Sequence, residues 1–166
     1  IEDAAHALGA TYKKRPVGSI ADMTTFSLHP VKHITTGEGG LVVANDSMFE
    51  ERLRRSRNHG ITRDYDERQK QGTWVYDMEK LGHNYRLNEL SSVLGISQLQ
   101  KLSGMLGRRR YIASQYSKAF AGVPQLTAPS EHPDCQSAWH LYVIKLNLEN
   151  LTKEYYQTLL LKFLFR

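Results

Sequence analysis

The stretch from Met23 to Ala44 constrains the fold more than any other. Met23-Thr-Thr-Phe-Ser-Leu28 is β-branched and aromatic and reads as a short strand. Pro30 has no amide hydrogen to give a ladder and ends it. Gly37-Glu-Gly-Gly40 supplies a flexible turn, because three glycines lift the Cβ restriction on the backbone. Leu41-Val-Val-Ala44 then reads as a buried strand. Lys32 lies in the connection between these two strands.

Helical patterns follow. Ser47 to Asn58 reads as a helix, with Ser47 and Glu50 as a capping box and Gly60 as its stop. Gly60 to Gly82 has no clear period and reads as loop. Leu87, Leu90, Leu94, Leu99, Leu102 and Leu106 recur at helical spacing, continued by Ile112, Tyr116 and Phe120. They predict a long amphipathic helix or a kinked pair from about Leu87 to Ala121. Trp139 to Leu146 reads as a strand apolar on both faces, and residues 151–165 as a second amphipathic helix. The mixture is α/β.

The composition is that of an ordinary globular chain of 166 residues, 40% apolar and 23% charged, which excludes a disordered tail or a collagen-like repeat. No apolar run is long enough to span a membrane. One cysteine, Cys135, excludes a disulfide scaffold and a cysteine-based zinc module. The net charge of +5 suits small anions such as phosphates. The basic runs Arg52-Leu-Arg-Arg-Ser-Arg57 and Arg108-Arg-Arg110 carry no interleaved aromatics, so they read as solvated helix faces rather than a nucleic-acid site. His29 and His33 are four apart but flank Pro30 and lack a third ligand, so no metal site is expected. Asn45-Asp-Ser47 and Asn150-Leu-Thr152 match the glycosylation sequon, a weak three-residue signal. The chain opens directly in Ile1-Glu-Asp3 and stops inside an apolar stretch, which reads as a piece of something larger, and a cytoplasmic location is expected.

The densest chemistry lies between Ile1 and Gly40. Asp3 and His6 sit at one strand end; Ser27, His29 and Lys32 sit at the next, before the glycine turn. A lysine in that setting suits a phosphorylated aldehyde cofactor. It must lose its proton to form an imine, which partial desolvation and nearby cations encourage. The cofactor's pyridine nitrogen must stay protonated, which needs a carboxylate partner. A hydroxyl such as that of Ser27 would hold the phosphate.

Ile1-Glu-Asp-Ala-Ala-His-Ala-Leu-Gly-Ala10 and the segment Gly18 to Gly40, with Phe-Ser-Leu-His-Pro-Val-Lys-His-Ile-Thr-Thr-Gly-Glu-Gly-Gly40 at its end, resemble the DegT/DnrJ/EryC1/StrS family. Leu81-Gly-His-Asn-Tyr-Arg-Leu-Asn-Glu-Leu90 and Ser137-Ala-Trp-His-Leu-Tyr-Val-Ile144 match it too. The family contains pyridoxal 5'-phosphate-dependent sugar aminotransferases of fold type I, the aspartate aminotransferase fold. Within it the chain is most similar to the subgroup that aminates UDP-4-keto-6-deoxy-N-acetylhexosamines, as in the pseudaminic acid pathway.

The resemblance implies that residues 1–103 are the C-terminal part of the cofactor-binding large domain. Residues 104–166 would start a small C-terminal domain that is cut short. It implies Lys32 as the Schiff-base lysine and proton carrier, Asp3 as the pyridinium partner, and His6 near the cofactor ring. Ser27 would hold the phosphate, and Asn84 would reach the phosphate of the neighbouring subunit's cofactor in a homodimer with shared active sites. An amino-acid donor, glutamate by family analogy, and a nucleotide-linked 4-keto-6-deoxy sugar are the implied substrates. Some members replace the lysine with histidine and are dehydratases; Lys32 favours transamination. The alternatives are such a sugar dehydratase or an inactive truncated piece. Leu28 departs from the subgroup, which often has an aromatic there. The family's N-terminal portion supplies a phosphate-gripping helix, a stacking aromatic and much of the sugar pocket, so this chain alone is expected to be inactive. Trp139 and His140 read as strand packing and are not placed in the site.

Overall fold

The computed structural model describes residues 1–62, 65–147 and 149. Its elements run β1 (Glu2–Asp3), β2 (Thr11–Tyr12), β3 (Arg15–Pro16), β4 (Met23–Ser27), β5 (Gly40–Ala44), α1 (Ser47–Arg57), α2 (Tyr65–Gln71), α3 (Glu89–Phe120), β6 (Leu126–Thr127), β7 (Cys135–Gln136) and β8 (Lys145–Leu146). The class is α/β, as the mixed periodicities predict.

The sheet that matters for function has the order β1-β4-β5. β1 runs parallel to β4, with Asp3 beside Thr25, and β5 runs antiparallel, with Gly40 beside Ser27. Alternation along β4 buries Thr24 and Phe26 on one face and leaves Met23, Thr25 and Ser27 half-buried on the other. Residues in register share a face, so Asp3, Thr25 and Ser27 belong to the same side of the sheet. On the opposite side the Thr24 hydroxyl donates to the Glu2 carboxylate at 3.1 Å. β5 forms as expected but is not buried: Leu41 and Val42 are exposed, because β5 pairs on one side only among the described residues.

β2 and β3 form a two-residue hairpin through Lys13 and Lys14, both at positive φ (48° and 63°). Such a left-handed pair matches the twist of the flanking strands. β7 pairs on the other side of β2, which ties the 135–140 region to the N-terminal part of the chain.

α1 occupies the predicted span, but its cap differs. Asp46, not Ser47, is the N-cap, and its carboxylate takes the Met48 amide at 2.7 Å. Aspartate one residue upstream reaches the orphan amides in place of the serine hydroxyl. Glu50 instead pairs with Arg54 at 2.8 Å. Gly60 stops the helix as expected: its amide reaches back to the Arg55 carbonyl at 2.9 Å, with His59 at φ 61° in the turn. The next segment is not all loop, since α2 occupies Tyr65–Gln71.

α3 is one continuous helix of 32 residues capped by Asn88, whose side chain takes the Ser91 amide at 2.9 Å. Its inward face differs from the leucine pattern. Leu106 and Ala113 are buried, whereas Leu90, Val93, Ile96 and Leu99 are exposed. The inward stripe of the first half is built from small and polar residues, among them Ser91, Ser92 and Gly95. A Cβ at Gly95 would lie 2.8 Å from Thr36 Cγ2, so glycine lets the helix axis close on the lysine-bearing loop. Further along, Leu106 fills the space in front of Gly9, whose φ is 83°. The core is small: Ala4, Phe26, Leu28, Ile34, Leu106, Ala113 and Ala138.

The strand expected over Trp139–Leu146 is reduced to β8 at its end. Trp139 has φ 48°, a left-handed conformation that interrupts any ladder. The helix expected over 151–165 and the sequon at Asn150 lie outside the described residues. At the other sequon, the Asn45 amide donates to the Ala21 and Gly18 carbonyls at 2.6 and 3.2 Å. No described helix is long and apolar enough to cross a membrane.

Candidate functional site

The site grows from the C-terminal end of β4. Leu28 closes the connection that follows: its amide donates to the Gly39 carbonyl at 2.9 Å, and its carbonyl accepts from the Thr36 amide at 3.1 Å and the Thr35 hydroxyl at 3.1 Å. Within this closed loop the Lys32 amide turns back to the His29 carbonyl at 3.0 Å, and the Gly37 amide donates to the Thr35 hydroxyl at 2.9 Å. Lys32 is half-buried.

Asp3 and Ser27 face the same side of the sheet on neighbouring strands. Asp3 Oδ1 accepts the Ala5 amide at 3.0 Å, and among the described residues its Oδ2 has no hydrogen-bond partner. The Ser27 hydroxyl accepts a long bond from the His29 amide at 3.4 Å, which leaves its proton free to donate. Gly40, lacking a side chain, lies opposite Ser27.

His6 lies at the exposed end of a column of three imidazoles. Its ring centroid is 4.3 Å from that of His140, which is 5.1 Å from that of His33. His33 is buried at 4% exposure. Burial, then Arg109 and His140, push its pKa from 6.5 down to about 4, with a smaller push from His6 and against the pull of the Ala138 carbonyl. His140 is also pushed down, by burial first and then by His6, Lys32 and Arg109. Both therefore stay neutral at pH 7. Among the described residues, His33 Nε2 and His140 Nδ1 are buried without hydrogen-bond partners.

Arg109 and Arg110 of α3 hold this column in place. The Arg109 guanidinium donates to the Trp139 and His140 carbonyls at 3.2 and 3.3 Å. Arg110 donates to the Ser137 and Gly9 carbonyls at 3.2 and 3.1 Å. These two residues are thus not part of a solvated face, as their position in a basic run predicts; they are half-buried staples between α3 and two loops. Arg108 is exposed, over the Tyr111 ring at 5.2 Å.

Asn84 sits elsewhere, on a segment laid across the end of α1. The His83 amide donates to the Ser56 carbonyl at 2.7 Å, the Tyr85 amide to the Arg57 carbonyl at 2.9 Å, and the His59 amide to the His83 carbonyl at 2.9 Å. Gly60 and Gly82 meet backbone to backbone; a Cβ on Gly82 would overlap the Gly60 amide nitrogen. Asn84 is exposed, and among the described residues its side chain has no hydrogen-bond partner.

The structure therefore brings Asp3 and Ser27 onto one face, with Lys32 in the following loop and His6 in contact with His140. Asn84 is separate. Sequence reasoning did not show that His33, His140 and Arg109 gather beside His6. His33 was legible only as half of a metal pair with His29, yet His29 faces Glu38, at 3.8 Å, and His33 faces His140. The signal for His140 was its place in the motif Ser137 to Ile144.

The architecture is part of the fold type I transferase fold. The chain belongs to the DegT/DnrJ/EryC1/StrS aminotransferase family, whose model matches residues 1–162. It is similar to a UDP-4-amino-4,6-dideoxy-N-acetyl-beta-L-altrosamine transaminase of Campylobacter jejuni, 43% identical over 146 residues, which cover 88% of this chain and 37% of that protein. Among solved structures it is similar to Helicobacter pylori PseC, an aminotransferase of pseudaminic acid biosynthesis, with a TM-score of 0.79 and 34% identity over 98% of this chain and 41% of that one. The Streptococcus pneumoniae protein Spr1654 in its PLP form gives 0.80 at 30% identity, over 96% and 40%. The chain spans about two fifths of the length of these relatives.

Proposed function

We propose that this chain carries the cofactor lysine of a pyridoxal 5'-phosphate-dependent nucleotide-sugar aminotransferase. The arrangement that supports this reading is the pairing of Asp3 and Ser27 on one sheet face with Lys32 in the closed loop beyond it. The residues fit the cofactor: a carboxylate with a free oxygen for the pyridinium nitrogen, a hydroxyl with a free proton for the phosphate, and glycine opposite that hydroxyl.

Pyridoxal phosphate, when bound, supplies the electron sink that lets an amino acid lose its Cα proton. The rest falls to the chain. Asp3 keeps the pyridinium proton in place by charge. Ser27 Oγ donates to the phosphate. Lys32 Nζ would hold the cofactor, and its free amine would take and return the proton at the donor Cα. His6 approaches the cofactor ring. Asn84 has a free side chain on the surface and serves the phosphate site of a second copy in a homodimer, with the large domain ending inside α3 near residue 103. The donor is glutamate and the acceptor a nucleotide-linked 4-keto-6-deoxy sugar, in line with the transaminases that the chain resembles.

The test is an absorbance spectrum of the full-length protein with pyridoxal phosphate, followed by borohydride reduction and peptide mapping. The expected result is a visible band and an adduct trapped on Lys32. Lys32→Ala should lose both and lower turnover by at least about 10²–10⁴-fold, the range for a positioned proton carrier. A protein that folds but traps nothing on Lys32 refutes the reading.

A further inference from the structure

We propose that His140 is a positioning residue: wedged between His33 and His6, it fixes the His6 imidazole at the mouth of the Lys32 loop. The significance of His6 for the cofactor rests on the function proposed above; the placement of the three rings does not.

The geometry supports a contact through ring surfaces rather than through hydrogen bonds. The His6 and His140 rings are 4.3 Å apart and inclined by 41°, and the His140 and His33 rings 5.1 Å apart and inclined by 47°. Both pairs are in ring-to-ring contact, tilted between the stacked and the edge-to-face arrangements. Among the described residues, the ring nitrogens His140 Nδ1 and His33 Nε2 have no partners, so no N–H···N bond carries the column through them. Among the described residues, the charged or titratable groups around His140 are cations or other imidazoles: Lys32 and His33 from the loop, Arg109 from α3, and His6. Burial first, and then His6, Lys32 and Arg109, push the His140 pKa down, and a neutral ring can lie against His6 without repelling it.

The backbone is arranged to present this ring. Trp139 has φ 48°, a costly conformation for a bulky residue, and such strain persists only where its surroundings impose it. Here they do. The Trp139 amide donates to the Ser137 hydroxyl at 3.0 Å, and Arg109 holds the carbonyls of both Trp139 and His140. At the far end His33 is buried beside Ala138, so the column is anchored in the core. His6, at the other end, is exposed, and its ring pairs with that of His140.

The test uses the full-length protein and two readouts. The first is the His6 Cε1–H signal by NMR without cofactor, assigned with His6→Ala. The second is the dissociation constant for pyridoxal phosphate. His140→Ala should move and broaden the His6 signal and weaken cofactor binding about three- to tenfold, the worth of one aromatic pair. His140→Phe, which keeps a ring and removes an unpaired nitrogen, should restore both. In a His6→Ala background, His140→Ala should have no further effect on binding. Thermal unfolding monitors the fold; if His140→Ala does not fold, His140→Gln replaces it with the same expectations. An unchanged His6 signal, additive losses, or a His140→Phe variant as impaired as the alanine would each overturn the proposal. If no adduct forms on Lys32, the aminotransferase reading falls, and the cofactor-free NMR readout still decides the positioning role.

Discussion

The Lys32 loop and the Asn84 segment are both fixed by backbone hydrogen bonds, but they differ in what stands behind them. The Lys32 loop is closed through Leu28, covered by α3 at Gly95, and adjoined by a column of rings that Arg109 secures. The Asn84 segment rests on α1 by three amide–carbonyl bonds and a glycine–glycine contact, and it offers its side chain to solvent. One region uses its neighbours to restrict a side chain. The other uses them to hold a backbone while leaving the side chain open.

Gly82→Ala should give the largest effect that separates the two. The new methyl would strike the Gly60 backbone, which has no flexible side chain to yield, and the cost should be at least about 3 kcal/mol, at the upper end for overpacking. Thermal unfolding measures that loss. Hydrogen exchange should show it centred on residues 56–60 and 79–85, with the Lys32 loop still protected. Equal loss of protection in both regions would show that they unfold as one unit.

Acid should act on the other region. The folded protein holds His33 near 4, while the unfolded chain binds that proton near 6.5. The unfolded state therefore takes up a proton first. Stability from this group is full above pH 6.5 and is lost as the pH falls towards 4, by about 3 kcal/mol. Urea midpoints across that range check it. His33→Leu should flatten the dependence, and Arg109→Ala should shrink it by removing a nearby cation.

Arg110→Ala should cost about 2 kcal/mol, since it removes charged donors from the Gly9 and Ser137 carbonyls. The loss should appear at Gly9 and residues 137–140 in hydrogen exchange and leave α1 unchanged. An Arg108→Ala control, at an exposed position, should cost well under that.

The same contrast explains what could be read from the residues. β4 and the glycine turn were legible because their signals, strand propensity and a proline stop, are local; side-chain chemistry singled out Asp3, Ser27 and Lys32, and the structure puts the first two on one sheet face with the third in the loop beyond. The span of α1 was legible for the same reason, although Asp46 displaced Ser47 as cap. The inward face of α3 was not. Leucine spacing pointed to Leu90 and Leu99, yet close approach to Thr36 needed Gly95, and small residues carry little weight in a hydrophobic pattern. Nor could the pattern show that Arg109 and Arg110 turn inward, because their partners are carbonyls 27 to 101 residues away. Trp139 to Leu146 looked like a strand by composition, but the left-handed Trp139 takes the backbone off that path.

Leu28, at the start of its loop, bonds twice to the returning arm, through its amide to Gly39 and its carbonyl to Thr35 and Thr36. That double attachment works like a clasp on a short belt. With the clasp shut, the span holding Lys32 cannot lengthen or swing as a flap. Whatever excursion the ammonium group makes must come from rotation about its own four carbon–carbon bonds, a reach of a few ångströms on a rigid mount.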